Sequence, residues 1–124
     1  MSAADLSARL ELALSAAKEA GDLTLTYFQG KEIGLEIKED KTPVTIADKK
    51  AEELLRDRIL AKFPHDGVLG EEMPEQKGSS GYRWILDPID GTKSFVAGVP
   101  LYGTMVGIEL ENEKRGVVGV VRMP

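Results

Sequence analysis

The sequence predicts an α+β fold, two long helices packed on one sheet, and three observations lead there. Apolar residues recur at helical spacing over residues 4–28 and again over residues 43–63. Two short apolar runs, Gly67-Val68-Leu69 and Trp84-Ile85-Leu86, each lead into acids, as buried strands with polar ends do. Finally, residues 102–110 and 115–121 flank Glu111-Asn112-Glu113-Lys114, the pattern of an antiparallel hairpin that makes the sheet mainly antiparallel. At 124 residues the chain fits a single domain, residues 1–124, and can bury on the order of two-thirds of its unfolded surface.

In the first helix, Leu6, Leu10, Ala13, Ala17, Ala20 and Thr24 follow one stripe, which Leu14, Leu25 and Phe28 widen. Ser2 or Asp5 suits its start and Gly30 its end. Leu35 and Ile37 alternate with Glu36 and Lys38, the period of a half-exposed strand. The second helix places Ala47, Ala51, Leu54, Leu55 and Ile59 on its buried side. Thr45 and Asp48 have capping-box spacing, with aspartate where Glu or Gln is usual, and a cap alone accounts for both residues. His65 is the sole histidine and sits in a turn, so no second histidine shares a zinc ion with it, and no role is assigned to it. Residues 74–81 read as a polar loop. The element order is therefore helix, strand, helix, strand, strand, short helix, strand, strand.

Composition narrows the function. With 42 % hydrophobic and 30 % charged residues, the chain reads as soluble and globular. A net charge of −5 argues against nonspecific nucleic-acid binding, and no apolar run reaches membrane-spanning length. Zero cysteines exclude a disulfide framework, Fe–S ligation and thiol catalysis, and lean toward a cytoplasmic setting.

The chemistry concentrates in Trp84-Ile85-Leu86-Asp87-Pro88-Ile89-Asp90-Gly91-Thr92-Lys93-Ser94-Phe95. A buried strand is expected to end at Asp87 and turn sharply through Pro88 and Gly91, so that two carboxylates project from a rigid turn. Hard cations such as Mg²⁺ take oxygen ligands of this kind. Gly91 and Thr92 offer unhindered amides at a short helix start, a natural anion position. Asp-Pro and Asp-Gly pairs are also plain turn formers. A second acidic strand end, Gly70-Glu71-Glu72, shifts the balance toward a cation, because neighbouring carboxylates repel unless one sits between them.

Together with Pro43-Val44-Thr45-Ile46-Ala47-Asp48, these segments resemble the inositol monophosphatase family, in the same order and over nearly the whole chain. The resemblance implies a layered α/β/α/β/α fold and a Mg²⁺-dependent, lithium-sensitive phosphomonoesterase with two or three Mg²⁺ ions. It implies metal ligation by Glu71, Asp87, the Ile89 carbonyl and Asp90, phosphate binding by Gly91 and Thr92, and a catalytic set of Asp48, Thr92 and Glu71. In that set Thr92 and Glu71 hold the attacking water and Asp48 orients Thr92. Lys38 and Glu72 are accessory candidates. Within the family, Lys93-Ser94-Phe95 and Gly98-Val99-Pro100-Leu101-Tyr102-Gly103 look most like histidinol-phosphate phosphatases, which serve histidine biosynthesis. Inositol-phosphate members more often have Asn before the phenylalanine, and 3′,5′-bisphosphate nucleotidases often have Lys-Glu-Phe.

One departure stands out. The family's later Trp-Asp motif, whose aspartate completes the second metal site, does not occur, and the sole tryptophan is Trp84. The expectation is an amino-terminal, metal-binding portion of a longer phosphatase, weak or inactive alone. The rival expectation is a non-enzymatic half-domain that binds metal or a partner chain. Either way the apolar run Val117-Val118-Gly119-Val120-Val121 leads to an expectation of homodimers or self-association.

Overall fold

The computed structural model of the chain describes residues 3–28, 36–37 and 43–123. Lys38 lies outside the described residues, as do Leu35 and Gly30.

Helix α1 (Ala3–Leu25) opens the chain and buries Arg9, Ala13, Ala16, Ala17, Ala20 and Thr24. Ala13, Ala17, Ala20 and Thr24 of the expected stripe are buried and Leu6 packs against the core, but Leu10 and Leu14 are 41 % and 54 % exposed, and Leu25 is exposed as well. Small side chains face inward because they let α1 lie close to its neighbours, where each leucine would demand more room. Helical structure stops at Leu25, with turns through Phe28.

Two short strands, β1 (Glu36–Ile37) and β2 (Pro43–Val44), pair antiparallel with each other. The second helix therefore starts later than its periodicity predicts. Pro43 and Val44 are extended, Thr45 is the cap, and α2 runs Ile46–Lys62. Thr45 is at φ −119° and ψ 167°, non-helical geometry that lets its hydroxyl accept from the Asp48 amide. Ala47, Ala51, Leu55 and Ile59 are buried as expected.

The remaining strands are β3 (Gly67–Leu69), β4 (Tyr82–Asp90), β5 (Gly103–Leu110) and β6 (Arg115–Arg122), with the short α3 (Thr92–Val96) between β4 and β5. They form one sheet in the order β3-β4-β5-β6. Only β3 and β4 are parallel; β4–β5 and the β5–β6 hairpin are antiparallel. The sheet is mainly antiparallel, as the hairpin pattern implies.

Alternation along the strands sends Trp84, Leu86, Val106 and Ile108 to one face, against Ala51, Leu55, Ile59 and the alanines of α1. Each large side chain fully buried there contributes roughly 1.5–3 kcal/mol. The opposite face carries Ile85, Met105 and Val121, all exposed. A second, smaller core of Ala47, Ile89, Phe95 and Tyr102, with Tyr27 and Phe28 against it, lies under the β4–α3 turn. Phe95 meets Tyr102 edge-on, with ring centroids 5.0 Å apart.

A buried polar knot ties helix to sheet. Asp66 accepts from Arg9 Nε at 2.8 Å and Nη2 at 2.7 Å, from the Ser80 hydroxyl at 2.6 Å and from the Trp84 indole at 2.8 Å. The Arg9 guanidinium lies 4.3 Å from the Phe63 ring centroid and 3.9 Å from that of Tyr82. Burial pushes the Asp66 carboxyl up, but its bonds from Arg9, Ser80 and Trp84 outweigh that and hold it below the ordinary value of 3.8. Among the described residues, no helix is long and apolar enough to cross a membrane.

Candidate metal centre

The expected strand end at Asp87 is corrected: β4 continues through Pro88 and Ile89 to Asp90. Proline in a strand removes a donor and is tolerated at irregularities, and one is present here. Asp87 pairs with Met105 but Asp90 pairs with Gly103, so the register slips between the two acids. The Thr104 hydroxyl donates to the Pro88 carbonyl at 2.8 Å, which satisfies that buried acceptor inside the irregularity. The bulge, rather than a tight turn, sets the spacing of Asp87 and Asp90.

Gly91 then turns the chain into α3. Its φ of 90° belongs to the left-handed region, and an added Cβ would come within 2.8 Å of the Leu101 carbonyl oxygen. Glycine alone meets both conditions. The first amides of α3 have no preceding turn to bond, as at any helix start.

Asp48 serves two purposes at once. Its Oδ2 accepts from the Thr45 amide at 2.8 Å and the Thr45 hydroxyl at 2.6 Å, completing the capping box. Its Oδ1 lies 3.4 Å from Thr92 Oγ1, which also approaches the Ile89 carbonyl at 3.1 Å. The single Thr92 proton has two acceptors, so the hydroxyl keeps lone pairs with which to accept from water. The cap and the expected Asp48–Thr92 contact therefore coexist.

Asp87 feels the neighbouring acids. Its carboxyl is pushed up to about 7, first by burial, then by the charges of Glu71, Asp90 and Asp48, and by a hydrogen bond with Asp90. The chemistry of this donor set fits a hard cation: carboxylates crowded around Asp87, with a backbone carbonyl beside them. Among the described residues, no three His, Asp or Glu side chains are gathered into a ready coordination set. Of the accessory candidates, Lys38 lies outside the described residues, and Glu72 takes part through its amide, which donates to Glu52 Oε1 at 2.9 Å.

Sequence reasoning missed Glu52 and Arg56, both buried on α2. Their signal was present: Asp48, Glu52 and Arg56 recur every fourth residue along the same side as Ala51, Leu55 and Ile59, an arrangement that only paired charges tolerate.

The model of the inositol monophosphatase family matches residues 5–124. The chain belongs to that family. It is 52 % identical over 115 residues to a histidinol-phosphatase of Chlorobaculum parvum, covering 93 % of this chain and 44 % of the relative. It is 37 % identical to a fructose-1,6-bisphosphatase/inositol-1-monophosphatase of Aquifex aeolicus, covering 97 % of this chain and 45 % of that protein. Among solved structures, the Thermotoga maritima IMPase superposes with a TM-score of 0.83 at 31 % identity, over 94 % of this chain and 44 % of that one. The chain thus spans less than half the length of these relatives.

Proposed function

We propose that the chain is the metal-binding portion of a Mg²⁺-dependent phosphomonoesterase that hydrolyses histidinol phosphate to histidinol and phosphate. The observation that carries the reading is the Thr92 hydroxyl held between Asp48 and the Ile89 carbonyl, at the end of the strand bulge that bears Asp87 and Asp90. Glu71, Asp87, the Ile89 carbonyl and Asp90 would hold the cation. When bound, it neutralises phosphate charge and lowers the pKa of water.

The chain's own groups do the rest. Thr92 and Glu71 hold the attacking water, and Asp48, itself fixed by the cap of α2, aligns Thr92 through its free oxygen. The Gly91 and Thr92 amides meet the phosphoryl oxygens, where negative charge spreads as the water attacks in line. A catalytic set held on a helix cap and a strand bulge needs little reorganisation.

The substrate assignment rests on Lys93-Ser94-Phe95 and on the 52 % identical relative named as a histidinol-phosphatase. A name that joins fructose-1,6-bisphosphatase and inositol-1-monophosphatase occurs at 37 % identity, so the panel below includes those substrates. The test has two arms. Mg²⁺ should raise the melting temperature of the 124-residue chain by mass action; an unchanged melting curve in excess Mg²⁺ sinks the metal reading. With the chain extended to full family length, phosphate release should be fastest from histidinol phosphate. The comparison substrates are inositol-1-phosphate, fructose-1,6-bisphosphate and adenosine 3′,5′-bisphosphate. An equal response across the panel removes the substrate assignment alone.

A further inference from the structure

Glu52 is a completely buried acid that the chemistry above does not use. A buried carboxylate needs a partner, and it has Arg56 one turn along α2, whose Nε donates to Oε2 at 3.1 Å. The pair reaches outward as well as inward. Glu52 Oε1 accepts the Glu72 amide at 2.9 Å, while Arg56 donates to the Met73 carbonyl at 3.0 Å and the Pro74 carbonyl at 2.7 Å. Three successive residues after Glu71 are thereby gripped through their backbone, where no side-chain choice can loosen them.

The residue before Glu71 is shaped by the same carboxylate. A Cβ placed on Gly70 would collide with the Glu52 carboxyl group. Gly70 is not among the glycines with positive φ, so space, not backbone freedom, is what glycine supplies there. Glu71 is bracketed: Gly70 makes way for the Glu52 carboxylate on one side, and Glu72 bonds to it on the other.

We infer that Glu52 and Arg56 are positioning residues for the metal centre, fixing the loop that delivers the Glu71 carboxylate toward Asp87. The inference rests on the reading of Glu71 as a metal ligand. It also explains the fourfold spacing on α2. Asp48 orients Thr92 from the first turn and Glu52 holds the Glu71 loop from the second, so one rigid helix sets both sides of the site. Outer partners of metal ligands commonly matter for affinity on the order of tenfold or more.

The test is Mn²⁺ titration of the 124-residue chain, followed by loss of the free Mn²⁺ paramagnetic resonance signal. Glu71→Gln, which removes a ligand, should weaken binding most. Glu52→Gln and Gly70→Ala should each weaken it on the order of tenfold while circular dichroism stays native. Should Glu52→Gln fail to fold, Gly70→Ala carries the test, since it keeps both charged groups and uses one methyl group to push the Glu52 carboxylate away from the loop. Leu55→Ala is the control for mere destabilisation: it opens a cavity in the main core without touching the Glu52 carboxylate or the Glu71 loop backbone and should leave the affinity of the folded chain unchanged.

Native affinity in folded Glu52→Gln and Gly70→Ala, with Glu71→Gln impaired, overturns the positioning role and leaves the metal centre standing. An equal loss in Leu55→Ala also overturns it. Absence of Mn²⁺ binding by the unaltered chain, or no effect of Glu71→Gln, removes the metal reading and this inference with it.

Discussion

At the scale of single residues, the crowding of acids around Asp87 works against stability. Asp87 holds its proton up to about pH 7 in the folded, metal-free chain, against 3.8 ordinarily. A group whose folded pKa is raised stabilises the fold relatively at low pH, and that contribution is lost as pH rises from 3.8 through 7. Asp87→Asn removes the penalty, so the metal-free variant should melt higher than the parent at pH 8, with the gap closing below pH 4, while it binds Mg²⁺ less well. Thermal melts across that pH range check the sign; a variant less stable at pH 8 would contradict the crowding of acids. Gly91→Ala should act in the opposite direction, costing about 1–3 kcal/mol through backbone strain, as read by denaturant unfolding.

The acids of this site were legible because each stands in a compact motif with turn residues beside it. Glu52 was not. A glutamate within a helix ordinarily reads as solvated surface, and only the fold reveals that the Glu71 loop passes directly over it. Arg9 and Asp66 escaped for the same reason, being 57 residues apart in the chain yet joined by two hydrogen bonds.

Secondary-structure elements were read with uneven success, and the errors have physical causes. Helix α2 and the β5–β6 hairpin show in the sequence because periodicity and a polar tetrapeptide mark them independently of tertiary context. The alanines and Thr24 of the α1 stripe are buried as read, but Leu10, Leu14 and Leu25 were misplaced because hydrophobicity ranks leucine above alanine, whereas close helix packing ranks them by size. Strand β4 outran its expected end because Pro88 reads as a break, and a register slip absorbs it. Asp66 belongs to this scale, since it fastens α1 to β4. Its folded pKa is depressed, so its stabilisation is present above 3.8 and is lost as pH falls through the folded value. The loss of stability due to this group should therefore set in below pH 3.8. Asp66→Asn, which leaves Arg9 buried without its counter-charge, should cost on the order of 3 kcal/mol at pH 7 and flatten the acid limb of the stability curve. An unaltered acid limb would assign that limb to other carboxylates.

For the molecule as a whole, the two faces of the sheet differ sharply. One is covered by helices; the other presents Ile85, Met105 and Val121, all exposed. Apolar surface of this kind favours association, so the 124-residue chain should self-associate at micromolar concentration in light scattering. A monomer at all concentrations would argue that this face is tolerated in water.

Trp84 makes these events separable by light. It is the only tryptophan, fully buried on the helix-covered face, bonded through its indole to Asp66 and stacked on Phe63 at 6.3 Å. Its fluorescence should be blue-shifted in the native chain, shift red as acid dissolves the Asp66 knot, and stay constant while copies associate through the far face. The protein thus contains its own optical gauge, sensitive to the seam between helices and sheet and blind to the opposite surface.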